Sequence, residues 1–217
     1  MGQTRKVLVY RLLCENTIDE KITDLLEQKQ KIFDAFADKS AAAQESLELD
    51  KKSFGNIIDE EIKRIYDVAE YTFRLNSRMF YQDGIKRDRW VWSGDAYQSY
   101  FFNYYSYFDP GIIKRTILAL RGGDPIASHI NTIVDYSLYW LASIADYYRF
   151  TGDRRFLSQV YERAVGLARY LLQFENAEGL IEGREGLDWT FIDWSDMDKT
   201  GALCIMQMLY CRAMEAM

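Results

Sequence analysis

Between residues 154 and 174, apolar residues fall at Phe156, Val160, Ala164, Leu167, Leu171 and Phe174. Steps of three and four keep them on one face of a helix, with charged residues opposite. Comparable spacing predicts helices over 57–81, 95–108, 112–121, 129–150 and 199–217. Between the fourth and fifth of these six, Phe150-Thr-Gly-Asp153 predicts a tight helix–helix turn. Gly152 suits a left-handed position after one helix, and Asp153 suits the N-cap of the next. The pattern therefore predicts helical hairpins in series. It breaks at residues 179–196, GLIEGREGLDWTFIDWSD, where glycines and alternating aromatics predict an ordered loop or short ribbon.

The first 60 residues follow a different pattern. A short strand is predicted from Val7 to Leu13, followed by a long helix. Thr17 and Glu20 form a capping box at its start, and Ile18, Ile22, Leu25, Leu26, Ile32 and Phe33 recur at near-helical spacing. Residues 40–53, SAAAQESLELDKKS, are small and polar and predict a linker or loose loop. Aromatic content changes along the chain: residues 1–60 carry Tyr10, Phe33, Phe36 and Phe54, whereas all five tryptophans follow residue 89.

Composition narrows the function classes. A chain of 217 residues, 48% hydrophobic and 15% aromatic, can bury a substantial core in one or two domains. Its net charge of −6 argues against nucleic acid as a partner, because phosphate binding needs a basic surface. Lys29 and Lys31 fit a solvated helix face better than a DNA contact. Without a membrane-span-length apolar run or a basic-then-apolar leader, the expectation is a cytoplasmic chain with no membrane partner. Cys14, Cys204 and Cys211 lack metal-ligand spacing, so no metal and no cofactor are expected and the thiols are expected to be buried and reduced.

Residues 83–95, DGIKRDRWVWSGD, hold three carboxylates (Asp83, Asp88, Asp95), three cations (Lys86, Arg87, Arg89) and two indoles (Trp90, Trp92). A salt-bridged turn, with Arg87 and Arg89 pairing the aspartates, is one reading. A carbohydrate site is the other. Sugar faces stack on indoles, hydroxyls bond to carboxylates and guanidinium groups, and glycosidic cleavage needs an acid and a base. Residues 188–198, DWTFIDWSDMD, repeat the Asp–Trp composition about a hundred residues later, which favours one shared cleft. If the segment is extended, Trp90 and Trp92 would lie on the same side of it.

Together with NTIVDYSLYWLASIADYYRFTGD (131–153) and the DWTFIDWSDMDKTGA run, the 83–95 motif resembles the catalytic domain of α-L-rhamnosidases, glycoside hydrolase family 78, over roughly residues 65–217. The resemblance implies an (α/α)6 six-hairpin barrel and inverting hydrolysis of terminal α-L-rhamnose, so a rhamnose-containing glycan or glycoside is the implied partner. It carries substrate binding to Asp83, Arg87, Trp92 and Asp95, to Asp193 and Trp194, and to Trp140. The family's usual motif carries a Glu as general acid; Arg89 stands there in this chain, and Asp88 is the nearest carboxylate and the candidate acid. Six hairpins make twelve helices and the pattern supplies about six, so half a barrel is expected, with the family's general base beyond it. Asp193, Asp196 and Glu182 are the substitutes within the chain.

Residues 1–64 carry a second resemblance. MGQTRKVLVYRLLCENTIDEKITDLLEQKQKIFDAFADKS is similar to the C-terminal end of a bacterial Swi/Snf-type ATPase, the final strand and helix of a RecA-like lobe. No Gly-Lys-Ser/Thr phosphate loop accompanies it, so ancestry is implied and ATPase activity is not. The expected class is thus mainly α: a partial six-hairpin barrel from residue 65, preceded by a strand and helix from a lobe remnant and joined by gene fusion or an assembly error. The alternatives are a remnant of a DNA-dependent motor and a non-catalytic carbohydrate-binding helical domain.

Overall fold

A computed structural model of the chain describes residues 17, 20–24, 26, 27, 40–86, 88–106 and 108–217. It is mainly helical. The helices are α1 (Ser40–Asn76), α2 (Ser93–Tyr105), α3 (Pro110–Leu120), α4 (Val134–Thr151), α5 (Arg154–Leu171) and α6 (Cys204–Glu215). Single 3-10 turns, Ile130–Thr132 and Leu172–Phe174, precede α4 and follow α5. Contacts divide the chain into two units, Met1–Tyr71 and Thr72–Met217.

In the first unit, Glu20 to Asp24 are helical, and the Lys21 amide donates to the Thr17 carbonyl at 3.3 Å. The expected strand at 7–13 and most of the long helix after it lie outside the described residues. The expected linker at 40–53 is instead the start of α1. Ala, Gln, Glu, Leu and Lys dominate that stretch, and their helix propensity outweighs the small polar character that suggests a loop. Further along α1, Arg64 pairs with the nearly buried Glu61, and Lys21 lies 3.8 Å from the same carboxylate. The guanidinium holds the Glu61 carboxyl below its usual range.

In the second unit, α4 is the central helix, in contact with α2, α3, α5 and α6. Its own residues explain this position, since Val134, Leu138, Trp140, Leu141, Ala142, Ile144 and Tyr147 are all buried. The larger aliphatic side chains among these, Val134, Leu138, Leu141 and Ile144, each stabilise the fold by about 1.5–3 kcal/mol relative to exposure. The α4–α5 turn forms as its sequence requires: Gly152 has φ 67° and the Asp153 carboxylate accepts from the Phe156 amide at 3.0 Å. All six apolar stripe positions from Phe156 to Phe174 are buried. Between α2 and α3, Asn103 is the fastener, donating to the Asp109 carbonyl at 3.0 Å and accepting from the Asp109 amide at 2.9 Å.

Two expectations fail here. Trp140 is 1% exposed, and its indole N–H donates to the Ile117 carbonyl at 2.9 Å, so the core claims its ring and no sugar can stack on it. Cys204 and Cys211, expected to be buried, are exposed on α6, because Met206, Tyr210 and Ala213 turn to the core instead. Cys14 lies outside the described residues.

The buried Asp146 carboxylate ties three helices together. It accepts from the Tyr97 hydroxyl of α2 at 2.8 Å, from Arg149 of α4 at 3.0 Å and from Arg212 of α6. Burial and this carboxylate push the Tyr97 phenol up to about 12. Removing one member of such a node leaves the others uncompensated, so Asp146→Ala should cost about 3 kcal/mol. The half-exposed Leu172→Ala should cost under about 0.5 kcal/mol, both measured by denaturant unfolding.

Candidate functional site

The 83–95 segment is closed by its backbone. The Asp83 amide donates to the Trp90 carbonyl at 3.1 Å, and Asp83 Oδ1 accepts from the amides of Gly84 (2.8 Å) and Trp90 (3.1 Å). Arg89, at φ 53°, turns its guanidinium to the Ile85 carbonyl at 2.8 Å. The salt-bridged reading of this turn therefore fails for Arg89. Among the described residues no cation forms an ion pair with Asp83, Asp88 or Asp95. Asp95 falls in the first turn of α2, where the helix dipole favours a carboxylate.

The facing segment, 188–194, is an irregular ribbon held against the start of α4. The Val134 amide donates to the Trp189 carbonyl at 3.0 Å. Arg184 grips Asp188 with two hydrogen bonds of 2.7 and 3.0 Å. The Phe191 ring meets those of Trp189 (5.8 Å) and Trp194 (5.1 Å) edge to face. Behind the ribbon, buried His129 stands 3.9 Å from Asp188; burial lowers its pKa to about 4, so it is neutral at neutral pH.

These two segments enclose a cavity of about 300 Å³. Asp83, Asp88, Trp92 and Asp95 line it from the first segment and Trp189, Phe191 and Trp194 from the second, together with Ile133 and Tyr136. Tyr136 touches both sides, its ring 6.1 Å from Trp92 and 5.8 Å from Phe191. Gly94 permits this approach: a Cβ there would meet the Tyr136 ring at 2.7 Å. The Tyr136 hydroxyl lies 3.4 Å from Asp95 Oδ2. Asp95 itself titrates above the ordinary aspartate value. Desolvation is the main cause and the charges of Asp83 and Asp88 add to it, while the Tyr136 hydroxyl opposes it.

Of the site residues expected from sequence, Asp83, Asp88, Trp92, Asp95 and Trp194 meet at this cavity. Arg87 lies outside the described residues. Asp193 does not line the cavity: its carboxylate accepts from the Ser195 amide at 3.2 Å and its carbonyl from Lys199, a local turn. Trp140 is in the core. Trp90, whose backbone closes the loop, has its ring 60% exposed and off the cavity, so the two indoles do not share a side. Glu182 lines a different hollow with Gly201. Tyr136, Trp189 and Phe191 are additions. The last two lie inside the DWTFIDW run, while Tyr136 sits in a helix stretch whose pattern gives no sign of a site.

Among the described residues, no group of three or more His, Cys, Asp or Glu is arranged to hold a metal, and no helix is long and apolar enough to cross a membrane. No family model matches the chain, and neither does any curated protein. Solved structures do. The family GH78 rhamnosidase of Bacillus sp. GL1 superposes at TM-score 0.59 with 19% identity, over 67% of this chain and 16% of that one. The rhamnosidase from Klebsiella oxytoca with rhamnose bound superposes at TM-score 0.55 with 21% identity, over 67% of this chain and 32% of that one. This chain thus spans a third or less of the length of those proteins. At such identity the likeness establishes the fold, a portion of a helical barrel.

The electrostatics of Asp95 can be tested by carboxyl NMR titration. Its pKa should lie above the ordinary value, and Tyr136→Phe, which removes a donor to the charged form, should raise it further. Because the folded pKa is raised, the stability that Asp95 contributes is present below its unfolded pKa and lost as pH rises through the folded one. Asp95→Asn should therefore be at least as stable as the parent at pH 7 and indistinguishable from it below both pKa values.

Proposed function

We propose that the cavity is a glycoside-hydrolase-type sugar site that takes a terminal 6-deoxyhexose of the α-L-rhamnose kind. What supports the reading is one observation: three aspartates that form no ion pair with a described cation line, together with three aromatic rings, a cavity of about 300 Å³. A sugar has both kinds of surface. Its hydroxyls bond to carboxylates in charge-assisted fashion, which suits Asp83 and Asp95. Its C–H face, and the C6 methyl of a deoxysugar, lie against aromatic rings, which suits Trp189, Phe191 and Trp194. Superposition on rhamnosidases, one of them solved with rhamnose, supports the choice of sugar.

In this reading Asp88 is the proton donor to the departing glycosidic oxygen. Inverting hydrolysis also needs a base across the ring, about 6.5–9.5 Å from the acid, to hold the attacking water. All three lining carboxylates come from residues 83–95, and the opposite wall offers rings. That one-sided arrangement supports binding without turnover as the behaviour of this chain by itself, with the base supplied from elsewhere in a complete enzyme.

Titrating L-rhamnose against intrinsic tryptophan fluorescence should give a dissociation constant of ~1 mM, about −4 kcal/mol. Trp194→Ala should weaken it about tenfold, the upper end of a ring-stacking contribution. Equal affinity for D-glucose would remove the deoxysugar assignment. Release of p-nitrophenol from its α-L-rhamnoside should stay at background. Turnover abolished by Asp88→Asn would show that a base is already present.

A further inference from the structure

One five-residue stretch holds both walls of the cavity. Asn131 reaches the carboxylate wall through its amide: Oδ1 accepts from the Ser93 amide at 3.0 Å and Nδ2 donates to the Val91 carbonyl at 3.1 Å. These two bonds bracket Trp92. Four residues later Asp135, 1% exposed, reaches the aromatic wall. Its two oxygens accept from the amides of Phe191 (3.0 Å) and Ile192 (3.3 Å).

Backbone geometry indicates that these bonds hold shapes the chain would not otherwise take. Asn131 and Thr132 have φ 51° and 64°, and Ile192 has φ 56°. Asn tolerates the left-handed region; β-branched Thr and Ile resist it, and such residues persist where their surroundings over-determine them. Asn131, itself left-handed, makes the first pair of bonds, and Asp135 holds the amides of left-handed Ile192 and its neighbour Phe191.

We propose that Asn131 and Asp135 are positioning residues for the sugar site, setting the separation and the facing of its two walls without touching the ligand. The assignment of a ligand rests on the sugar reading above; the mechanical claim does not. Each residue governs one wall: Asn131 the side carrying Trp92, and Asp135 the side carrying Trp189, Phe191 and Trp194. Displacing either wall by about 1 Å would cost about tenfold to a hundredfold in affinity for a ligand bridging them.

The test uses the full chain labelled with 5-fluorotryptophan, its five 19F resonances assigned by single Trp→Phe changes, without sugar. Asn131→Gly keeps the left-handed backbone available and removes both side-chain bonds. Asp135→Asn keeps the shape and replaces one acceptor with a donor that faces an N–H. Asn131→Gly should shift or broaden Trp92 and leave Trp189 and Trp194 in place; Asp135→Asn should do the reverse. Core-buried Trp140 should hold its position in both. Unmoved resonances in both variants would overturn the proposal. So would displacement of Trp140 along with the others, since the two residues would then hold the core and not the walls. Rhamnose titration of the same variants should show the tenfold or greater loss, with the Trp140 resonance reporting an intact core. A parent chain that binds no rhamnose would sink the sugar reading, while the fluorine spectra still decide the positioning claim.

Discussion

The carboxylate of Asp135, buried at the start of the central helix and bonded to two successive amides of a remote ribbon, is the contact on which the site's architecture depends. A ribbon of residues 188–194 has almost no regular hydrogen bonding of its own: one isolated bridge, Ile133 with Trp189, ties it to the helix entry. Buried or half-buried amides must find acceptors, and a carboxylate can serve two at once. By providing them from α4, the helix that touches α2, α3, α5 and α6, the chain fastens an irregular wall to its central element. Asn131 does the same for the opposite wall. Burial raises the Asp135 pKa while the amide bonds lower it, and the bonds are what make a charge tolerable there.

The division of labour between walls follows from what each side is made of. The 83–95 loop is stapled by Asp83 to its own backbone, which keeps three carboxylates close together with no cation among the described residues to neutralise them. Partial desolvation, with the charges of Asp83 and Asp88 adding to it, raises the pKa of Asp95. Like charges held this near one another are an unfavourable arrangement for stability alone, which is why such clusters mark sites. The aromatic wall supplies the complementary surface, and Tyr136 between them touches both.

Much of this was legible in the sequence, for physical reasons specific to each element. The α5 stripe and the Gly152–Asp153 turn could be read because local periodicity and cap chemistry determine them. The two Asp–Trp segments could be matched because their composition fits neither a solvated loop nor a core. Trp140 departs from what the resemblance implies because an indole on a helix looks the same in sequence whether its ring faces a cleft or the Ile117 carbonyl. The start of α1 was misread because small residues suggest a loop although alanines favour a helix. Tyr136, Asn131 and Asp135 act through partners roughly 40 to 60 residues distant, which no local pattern encodes.

The proposed ligand presents hydroxyls to one wall and an apolar face to the other. Saturation-transfer difference NMR measures this directly, by irradiating aromatic protons of the full chain and reading the transfer to each proton of methyl α-L-rhamnoside. The strongest transfer should go to the C6 methyl and the ring C–H face, diminished in Trp194→Ala, with little transfer to methyl α-D-glucoside. No transfer to the rhamnoside, or equal transfer to both sugars with no preference for the methyl group, would contradict this assignment.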